Sequence, residues 1–359
     1  MVVALCLSTT SISLSHSSAQ ARGVGPRTLF PTTVVVVVPK YGYALGPVRA
    51  RLSHSEIDVV RRLQQASLAS PTVSENATDS AIFLTEQTAS SSQTIQLGKK
   101  AMRMAGEILA SDLNGQPRRT FVIIGRTQKY LVDTVQSVGC VPNLDDIGGS
   151  FLMGATICNR QVIVINLTGY LFLRNSGQSL TSEMEAWPEP RIGAISYLIA
   201  DRNIAGLAHE WVHVARSYIS RGLIPDNEPA WFREGLAEVV GGMARVRASS
   251  NRMTYQDFHV IRLRKFSNWP SQCRKTLDEY RGNSSQVGGC EYLRGAVALE
   301  LLIANYGGIR KVVRLYEDLR NTADFFKSFQ RVYGMSIASF EHRADTYATY
   351  IAQAAIVRR

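Results

Sequence analysis

The pentapeptide His209-Glu210-Trp211-Val212-His213 constrains the fold of this 359-residue chain more than any other feature of its sequence. Two histidines four positions apart on a helix lie one turn apart and about 40° apart around its axis, so both imidazoles can bind one metal ion. Glu210 projects about 100° away from His209, close enough to act on water at the metal without being a ligand. The segment therefore predicts a metal-binding helix.

The residues around the pentapeptide favour a helix that packs against a core. Apolar positions recur at the spacing of one helical face; they are Ile204, Leu207, Ala208, Trp211, Val212 and Ala215. The two histidines lie beside this stripe, which predicts a metal site at the edge of the core. The plain alternative is a pair of surface histidines without a ligand.

A second motif, PAWFREGLAEVVGG, begins at Pro229 and supplies a candidate for the third ligand. Proline suits the first turn of a helix, and the pair Gly241-Gly242 suits its end. Glu234 and Glu238 share one face, so Glu234 can bind the metal while Glu238 accepts the free N–H of a ligating histidine. An ordinary surface role for Glu238 stays open. Two histidines and one glutamate leave a fourth position for water, as in catalytic zinc sites.

The two motifs together resemble those of the gluzincin zinc metallopeptidases, and most specifically the peptidase MA-like family. The clear similarity covers about 40 residues, from His209 through Trp231–Glu238. A weaker similarity continues through Tyr292, Tyr306-Gly307 and Tyr333-Gly334 into the C-terminal third. The resemblance implies a zincin-like fold and the hydrolysis of peptide bonds in peptide or protein substrates by a metal-activated water.

The resemblance also implies a role for each residue of the two motifs. His209, His213 and Glu234 would bind one Zn²⁺ per chain. Glu210 would be the general base and acid, and Glu238 would accept a hydrogen bond from a ligating histidine. A degenerate member of the family could keep the metal and lack turnover, because fold and ligands do not guarantee catalysis.

The residue that stabilises the oxyanion is a downstream Tyr or His in this family. Tyr292 is the first candidate, with His259 and Tyr255 as alternatives, although Tyr292 could equally be a core residue. Related aminopeptidases carry a Gly-x-Met-Glu-Asn segment, and the resembling stretch here, Gly148–Gly154, contains no glutamate. The resemblance therefore implies an endopeptidase.

The hydrophobic pattern predicts an α+β protein, in which a mixed α/β part with its β-sheet over the metal-binding helix precedes a mostly helical part. The predicted strands are Val34–Val38, Arg119–Gly125 and Gln161–Ile165. The predicted helices outside the motifs are Ser55–Leu68, Ile95–Leu109, Leu293–Tyr306, Ile309–Leu319 and Ile337–Ile351, and Ser70–Thr94 is predicted to be a loop. Gln161–Ile165 could be the sheet edge that pairs with an extended substrate or a plain core strand.

Four regions are predicted along the chain. Residues 1–21 are interpreted as a signal peptide, because a short apolar run precedes Ala19-Gln20-Ala21; a disordered N-terminus or a misassigned start is the alternative. Residues 22–95 form an N-terminal strand and helix segment with a linker, 96–245 the metallopeptidase catalytic region, and 246–359 the helical C-terminal region.

Cysteine usage indicates an oxidising compartment. Removal of the leader would remove Cys6 and leave an even number of cysteines in two local pairs, Cys140–Cys158 and Cys273–Cys290. These are the predicted disulfides, with four unrelated buried thiols as the alternative. Together with the leader they predict a secreted or extracytoplasmic protein, in the periplasm or cell envelope.

The composition excludes several classes of protein. With 45% hydrophobic and 19% charged residues the chain is globular, and no run approaches the roughly 18 apolar residues of a membrane-spanning helix. The net charge of +11 is dispersed in single residues and pairs, which argues against nucleic acid as a partner and suits adhesion to anionic surfaces. A catalytically inactive zinc-binding or peptide-binding module on the same scaffold is the main alternative to an enzyme.

Overall fold

In the computed structural model, strands and helices alternate through the first half of the chain, and the described residues of the second half are helical. The structure describes residues 33–38, 48–69, 81–86, 92–109, 120–125, 127–141, 154–158, 161–166, 192–249, 253–268, 273, 275–282 and 290–356. All of them belong to one compact unit, Thr33–Arg359. The predicted signal peptide lies outside the described residues.

The described residues contain six strands and ten α-helices. The strands are β1 (Thr33–Val38), β2 (Val48–Ser53), β3 (Ala81–Thr85), β4 (Thr120–Gly125), β5 (Gly154–Ile157) and β6 (Val162–Asn166). The helices are α1 (His54–Leu68), α2 (Ser92–Leu109), α3 (Gln128–Ser137), α4 (Ile192–Ile219), α5 (Ala230–Ala248), α6 (Tyr255–Asn268), α7 (Cys290–Asn305), α8 (Gly308–Thr322), α9 (Phe325–Tyr333) and α10 (Ile337–Ile356). The predicted combination of a small sheet with mostly helical structure is confirmed.

The strands form two separate sheets. β1 and β2 pair as an antiparallel ribbon, and the other four pair in the order β3-β4-β6-β5. β3, β4 and β6 run parallel, whereas β5 runs antiparallel to β6 with Thr156 opposite Ile163. The interpretation of Gln161–Ile165 as a sheet edge is therefore wrong, and its reading as a core strand is confirmed, because β6 lies between two neighbours. Among the described strands of this sheet, β5 and β3 are the edges.

The predicted loop Ser70–Thr94 is wrong in part. It contains β3, which pairs with β4 from Ala81 to Thr85, and the first turn of α2. The strand β3 has only four apolar residues, and serines and threonines surround them in the sequence, so the local composition does not indicate a strand. Pairing with a neighbouring strand, which the local sequence does not specify, makes this segment a strand.

A capping box starts α1 directly at the end of β2. The Ser53 hydroxyl accepts from the N–H of Glu56 at 3.2 Å, and the Glu56 carboxylate accepts from the N–H of Ser53 at 2.6 Å. Strand and helix are therefore joined without a loop. Both side chains are buried at this junction.

The helix α5 packs along both α4 and α7, with glycines at the points of closest approach. The prediction that Gly241-Gly242 ends α5 is wrong, since the helix continues to Ala248. A Cβ on Gly241 would lie 2.7 Å from the carbonyl oxygen of Ala205, and one on Gly242 would lie 2.2 Å from the ring of Phe258. These glycines serve the packing of helices, which the local sequence cannot distinguish from a helix end.

Both predicted disulfides are present. Cys140, just after α3, is joined to Cys158, just after β5, with a Cα–Cα distance of 5.7 Å. Cys273 is joined to Cys290, the first residue of α7, with a Cα–Cα distance of 5.0 Å. These bridges are compatible with an extracytoplasmic protein. Among the helices described, none combines the length and the apolar character needed to cross a membrane.

Candidate metal centre

The helix α4 carries the first motif with its apolar stripe turned into the core. All six residues predicted for that stripe are buried, with side chains between 0% and 4% exposed. Beside the stripe, His209 is 7% exposed and His213 is 8% exposed. The helix therefore presents both imidazoles at the margin of the core, as the sequence predicts.

The second motif brings its glutamate to the same place. The Oε2 atom of Glu234, on α5, lies 3.4 Å from Nε2 of His209 and 3.3 Å from Nε2 of His213. The two Nε2 atoms are 3.2 Å apart. The three potential ligand atoms thus form a nearly equilateral triangle, and Glu234 is 5% exposed.

The dimensions of this triangle fit a zinc ion. Ligands at about 2.0–2.1 Å in tetrahedral zinc sites lie about 3.3 Å from one another. Among the described residues, His209, His213 and Glu234 form the group that could hold a metal ion. Two nitrogens and one carboxylate oxygen can hold a divalent metal ion such as zinc, and three ligands leave a further position for water.

A further carboxylate orients one of the two histidines. The Oε1 atom of Glu238, one turn after Glu234 on α5, lies 3.3 Å from Nδ1 of His209. Such a contact fixes the tautomer in which Nε2 of His209 faces the metal. The Nδ1 atom of His213 is buried without a hydrogen-bond partner among the described residues. The two imidazoles are therefore held in different ways.

The electrostatics of the group favour a cation. Burial opposes the charge on His209, but hydrogen bonds to Glu234 and Glu238 outweigh it and raise the pKa of His209 well above its ordinary value. Burial alone would raise the pKa of Glu234, yet the charge of His213 and the hydrogen bonds to both histidines hold it far below its ordinary range. The negative charge that favours a proton on His209 equally favours a divalent ion.

Glu210, the candidate general base, is held by the edge strand of the sheet. The hydroxyl of Thr156 on β5 lies 2.6 Å from Oε2 of Glu210 and 3.2 Å from its main-chain oxygen. The donated hydrogen bond to Oε2 restricts the side chain and leaves Oε1 available for other chemistry. Nothing in the sequence around Thr156 marks this residue, because its relation to Glu210 arises only from the packing of β5 on α4.

We expect Thr156→Val to lower kcat by roughly tenfold for any reaction in which Glu210 transfers a proton, with a smaller change in KM. Valine has the shape of threonine but cannot donate the hydrogen bond that holds Oε2. The check is steady-state kinetics on zinc-loaded protein. Thr156→Ser keeps the hydroxyl and should retain most of the activity; an equal loss in both variants would show that the methyl group, rather than the hydrogen bond, matters.

The structure separates the three candidates for the oxyanion residue. The ring of Tyr292, on the first turn of α7, stacks on the ring of His209 with centroids 5.6 Å apart and an interplanar angle of 14°. Burial and the neighbouring Glu234 raise the pKa of Tyr292, so the phenol keeps its proton and can donate it in a hydrogen bond. Tyr255 and His259 are completely buried and bonded to Glu300, which leaves Tyr292 as the candidate at the site.

A buried ionic cluster, made of Glu56, Tyr255, His259, Arg262 and Glu300, joins α1, α6 and α7. Nδ1 of His259 lies 3.0 Å from Oε2 of Glu300, while Arg262 and Tyr255 donate to the other oxygen at 2.6 and 2.9 Å. Nε2 of His259 lies 3.9 Å from Oε1 of Glu56. Because every member is at most 5% exposed, the cluster depends on mutual compensation of its charges.

We expect the stability of the protein to fall above neutral pH because of His259. Burial lowers its pKa, but Glu300 and Glu56 outweigh this and raise the pKa to about 9. A group whose pKa rises on folding stabilises the folded protein fully when the pH is below the ordinary pKa of the group, here 6.5. This stabilisation is lost as the pH rises through the pKa in the folded protein, about 9.

Thermal unfolding between pH 6 and pH 10 tests this, with His259→Gln as the comparison. The wild type should lose more stability than the variant over this interval, whereas parallel curves would contradict the assignment. Tyr255 and Arg262 of the cluster, and Tyr347 beside it, are present in both proteins. Burial raises the pKa of both tyrosines, so neither titrates in the folded protein in this interval, and their ionisation in the unfolded chain affects wild type and variant alike.

A second buried salt bridge fixes the connection between the two motif helices. Arg216, one turn after His213 on α4, forms a salt bridge with Glu228, just before α5. The hydroxyl of Tyr316 on α8 donates to the other oxygen of Glu228 at 2.7 Å. This contact fixes the end of α4 against the start of α5, and so fixes the relative position of the ligands on the two helices.

No family model, curated protein or solved structure matches the chain. The function is therefore inferred from the chemistry and geometry of the centre itself.

Proposed function

We propose that the protein is a zinc-dependent metallopeptidase of zincin-like architecture, related to the peptidase MA-like family, that hydrolyses internal peptide bonds of peptide or protein substrates. The observation that supports this best is the triangle of His209, His213 and Glu234, whose edges of 3.2–3.4 Å match tetrahedral zinc. Glu210 follows a ligand directly on α4, and its carboxylate is held at Oε2 by Thr156.

His209, His213 and Glu234 would hold the zinc ion, which would supply Lewis acidity toward a water molecule and a carbonyl group. Glu210 takes the proton from the attacking water through its free oxygen and delivers it to the departing amine. The Thr156 hydroxyl keeps the carboxylate in one orientation through both transfers. Glu238 holds His209 in the tautomer that binds the metal.

Tyr292 would donate a hydrogen bond to the oxyanion that develops on the scissile carbonyl. Its ring lies against His209, so its phenol belongs to the immediate surroundings of the metal. A phenol whose pKa is raised stays protonated at neutral pH and therefore acts as a donor.

An extended substrate would pair with β5 rather than with β6. Among the described strands β5 is at an edge of the sheet, and Thr156 within it contacts Glu210. A peptide added to this edge would run past the general base, with main-chain hydrogen bonds along β5. Binding through the main chain of an internal segment suits an endopeptidase.

The same proposal includes an extracytoplasmic location, with residues 1–21 as a secretion signal. The two disulfides support it, because they persist in oxidising compartments. The surplus of basic residues would then face the anionic polymers of the cell surface.

Metal analysis of the purified protein, paired with digestion of a peptide library and of casein, tests the proposal. We expect one zinc per chain and cleavage that a chelator abolishes and added zinc restores. Zinc without cleavage would indicate an inactive zinc-binding or peptide-binding module. Absence of zinc, or cleavage that resists the chelator, would contradict the proposal.

A further inference from the structure

A basic side chain lies directly against the candidate metal ligand. Nε of Arg233 donates to Oε1 of Glu234 at 2.8 Å, while Oε2 of Glu234 faces the two histidines. The carboxylate is therefore divided, with one oxygen directed at the metal position and the other bound to the guanidinium. Only the carboxylate group of Glu234 therefore separates the guanidinium of Arg233 from the metal position.

The remaining donors of Arg233 are available. The Arg233 side chain is 21% exposed, and the bond from Nε to Glu234 is its hydrogen bond within the part of the chain that the structure describes. Both terminal nitrogens of the guanidinium are accessible to solvent. A guanidinium held through Nε presents its two Nη groups as a fork that matches a carboxylate.

The other basic side chain near the two histidines, Arg216, is buried and paired with Glu228, and the remaining charged side chains described around the centre are carboxylates. Glu210, Glu234 and Glu238 lie around the two histidines. Glu291, on the first turn of α7, has both carboxylate oxygens buried without a hydrogen-bond partner among the described residues. Glu291 interacts unfavourably with Glu234 and favourably with Arg233. These carboxylates repel a negatively charged group that approaches the centre, whereas Arg233 attracts it from beside the metal position, in addition to the attraction that a bound metal ion would exert.

We infer that Arg233 is a specificity-determining residue that binds a carboxylate of the peptide substrate beside the metal. That carboxylate is either the C-terminus of the peptide or the side chain of an aspartate or glutamate close to the cleaved bond. The inference rests on the proposed peptidase function, because it concerns the same site and the same substrates.

Binding of matched peptides to zinc-loaded Glu210→Gln protein, measured by calorimetry, tests the inference without turnover. One pair of peptides differs only in a free or amidated C-terminus, and a second pair differs only in Asp or Asn at one position. We expect the carboxylate member of at least one pair to bind about tenfold more tightly. The pair that shows the preference identifies the source of the carboxylate, and a preference for the free C-terminus would place the cleaved bond near the end of the peptide and contradict the endopeptidase part of the proposed function.

Adding Arg233→Gln to the same protein should reduce that preference to within about twofold, and Arg233→Lys should retain part of it. Arg314→Gln, which removes an exposed arginine on α8, is the matched control and should leave the preference intact. Zinc content is measured for every variant, because a role only in holding Glu234 would lower zinc content and weaken both members of each pair equally.

Two outcomes would overturn the inference: equal binding of both members of each pair, or a preference that survives Arg233→Gln. Failure of the proposed function gives a different result. If zinc-loaded wild type cleaves no peptide but the preference exists and depends on Arg233, then the peptidase proposal fails and the carboxylate site stands. If cleavage occurs without any preference, the peptidase proposal stands and the inference about Arg233 fails.

Discussion

Glu210→Gln should bind zinc as the wild type does and should have lost at least about a thousandfold in kcat. Glutamine keeps the shape of the side chain and can still bond to Thr156, but it cannot accept the proton of the attacking water. General acid and base catalysis contributes roughly 10²–10⁴-fold, and here one residue would perform both transfers. Because Glu210 is not a ligand of the metal, the triangle of His209, His213 and Glu234 should be unaffected.

The measurement combines kinetics on a cleaved peptide with zinc analysis of the same preparations. Glu317→Gln, an exposed substitution on α8, is the matched control and should be indistinguishable from the wild type. Retained turnover in Glu210→Gln with zinc bound would exclude the mechanism. Loss of turnover together with loss of zinc would show that Glu210 supports the metal centre instead of transferring protons.

Gly295→Ala should destabilise the fold by about 3 kcal/mol or more. A Cβ on Gly295 would lie 2.0 Å from the carbonyl oxygen of Trp231 and 3.1 Å from Cα of Gly235. These are main-chain atoms in the first two turns of α5, so the clash cannot be relieved by rotating a side chain. The helices α5 and α7 would have to separate, and Glu234, next to Gly235, would move with α5.

Thermal or denaturant unfolding measures this effect, and Gly206→Ala on α4 is its matched control. A Cβ on Gly206 would meet nothing within 4 Å, so alanine there should stabilise the helix by about 0.5–1 kcal/mol. Similar stabilities of the two variants would show that α5 and α7 adjust to the added methyl group. A fall in the zinc affinity of Gly295→Ala is expected with the fall in stability.

The parts of the fold that were predicted correctly have strong local signals. The amphipathic spacing of α4 predicted its buried face residue by residue, and the cysteine spacing predicted both disulfides. The end of α7 and the start of α8 lie on either side of Gly307, whose φ of 115° favours glycine. The pattern of alternating elements was sufficient for the fold class.

The errors arise where distant segments determine the structure. The β3 strand, the β5 edge and the continuation of α5 past Gly241 each depend on a partner remote in sequence. A glycine pair at the end of a motif is equally consistent with a helix end and with close packing of helices. Only the position of α4 and α6 against α5 distinguishes these two cases.

The sequence by itself determined which residues can hold the metal, because ligand chemistry and helical periodicity are local properties. His209, Glu210, His213, Glu234 and Glu238 follow from residue types and spacings alone. Only the tertiary structure decided that Thr156 bonds to Glu210, that Tyr292 rather than His259 lies against His209, and that Arg233 binds Glu234 through Nε. These contacts join elements far apart in the chain, and their distances depend on how the helices and the sheet pack.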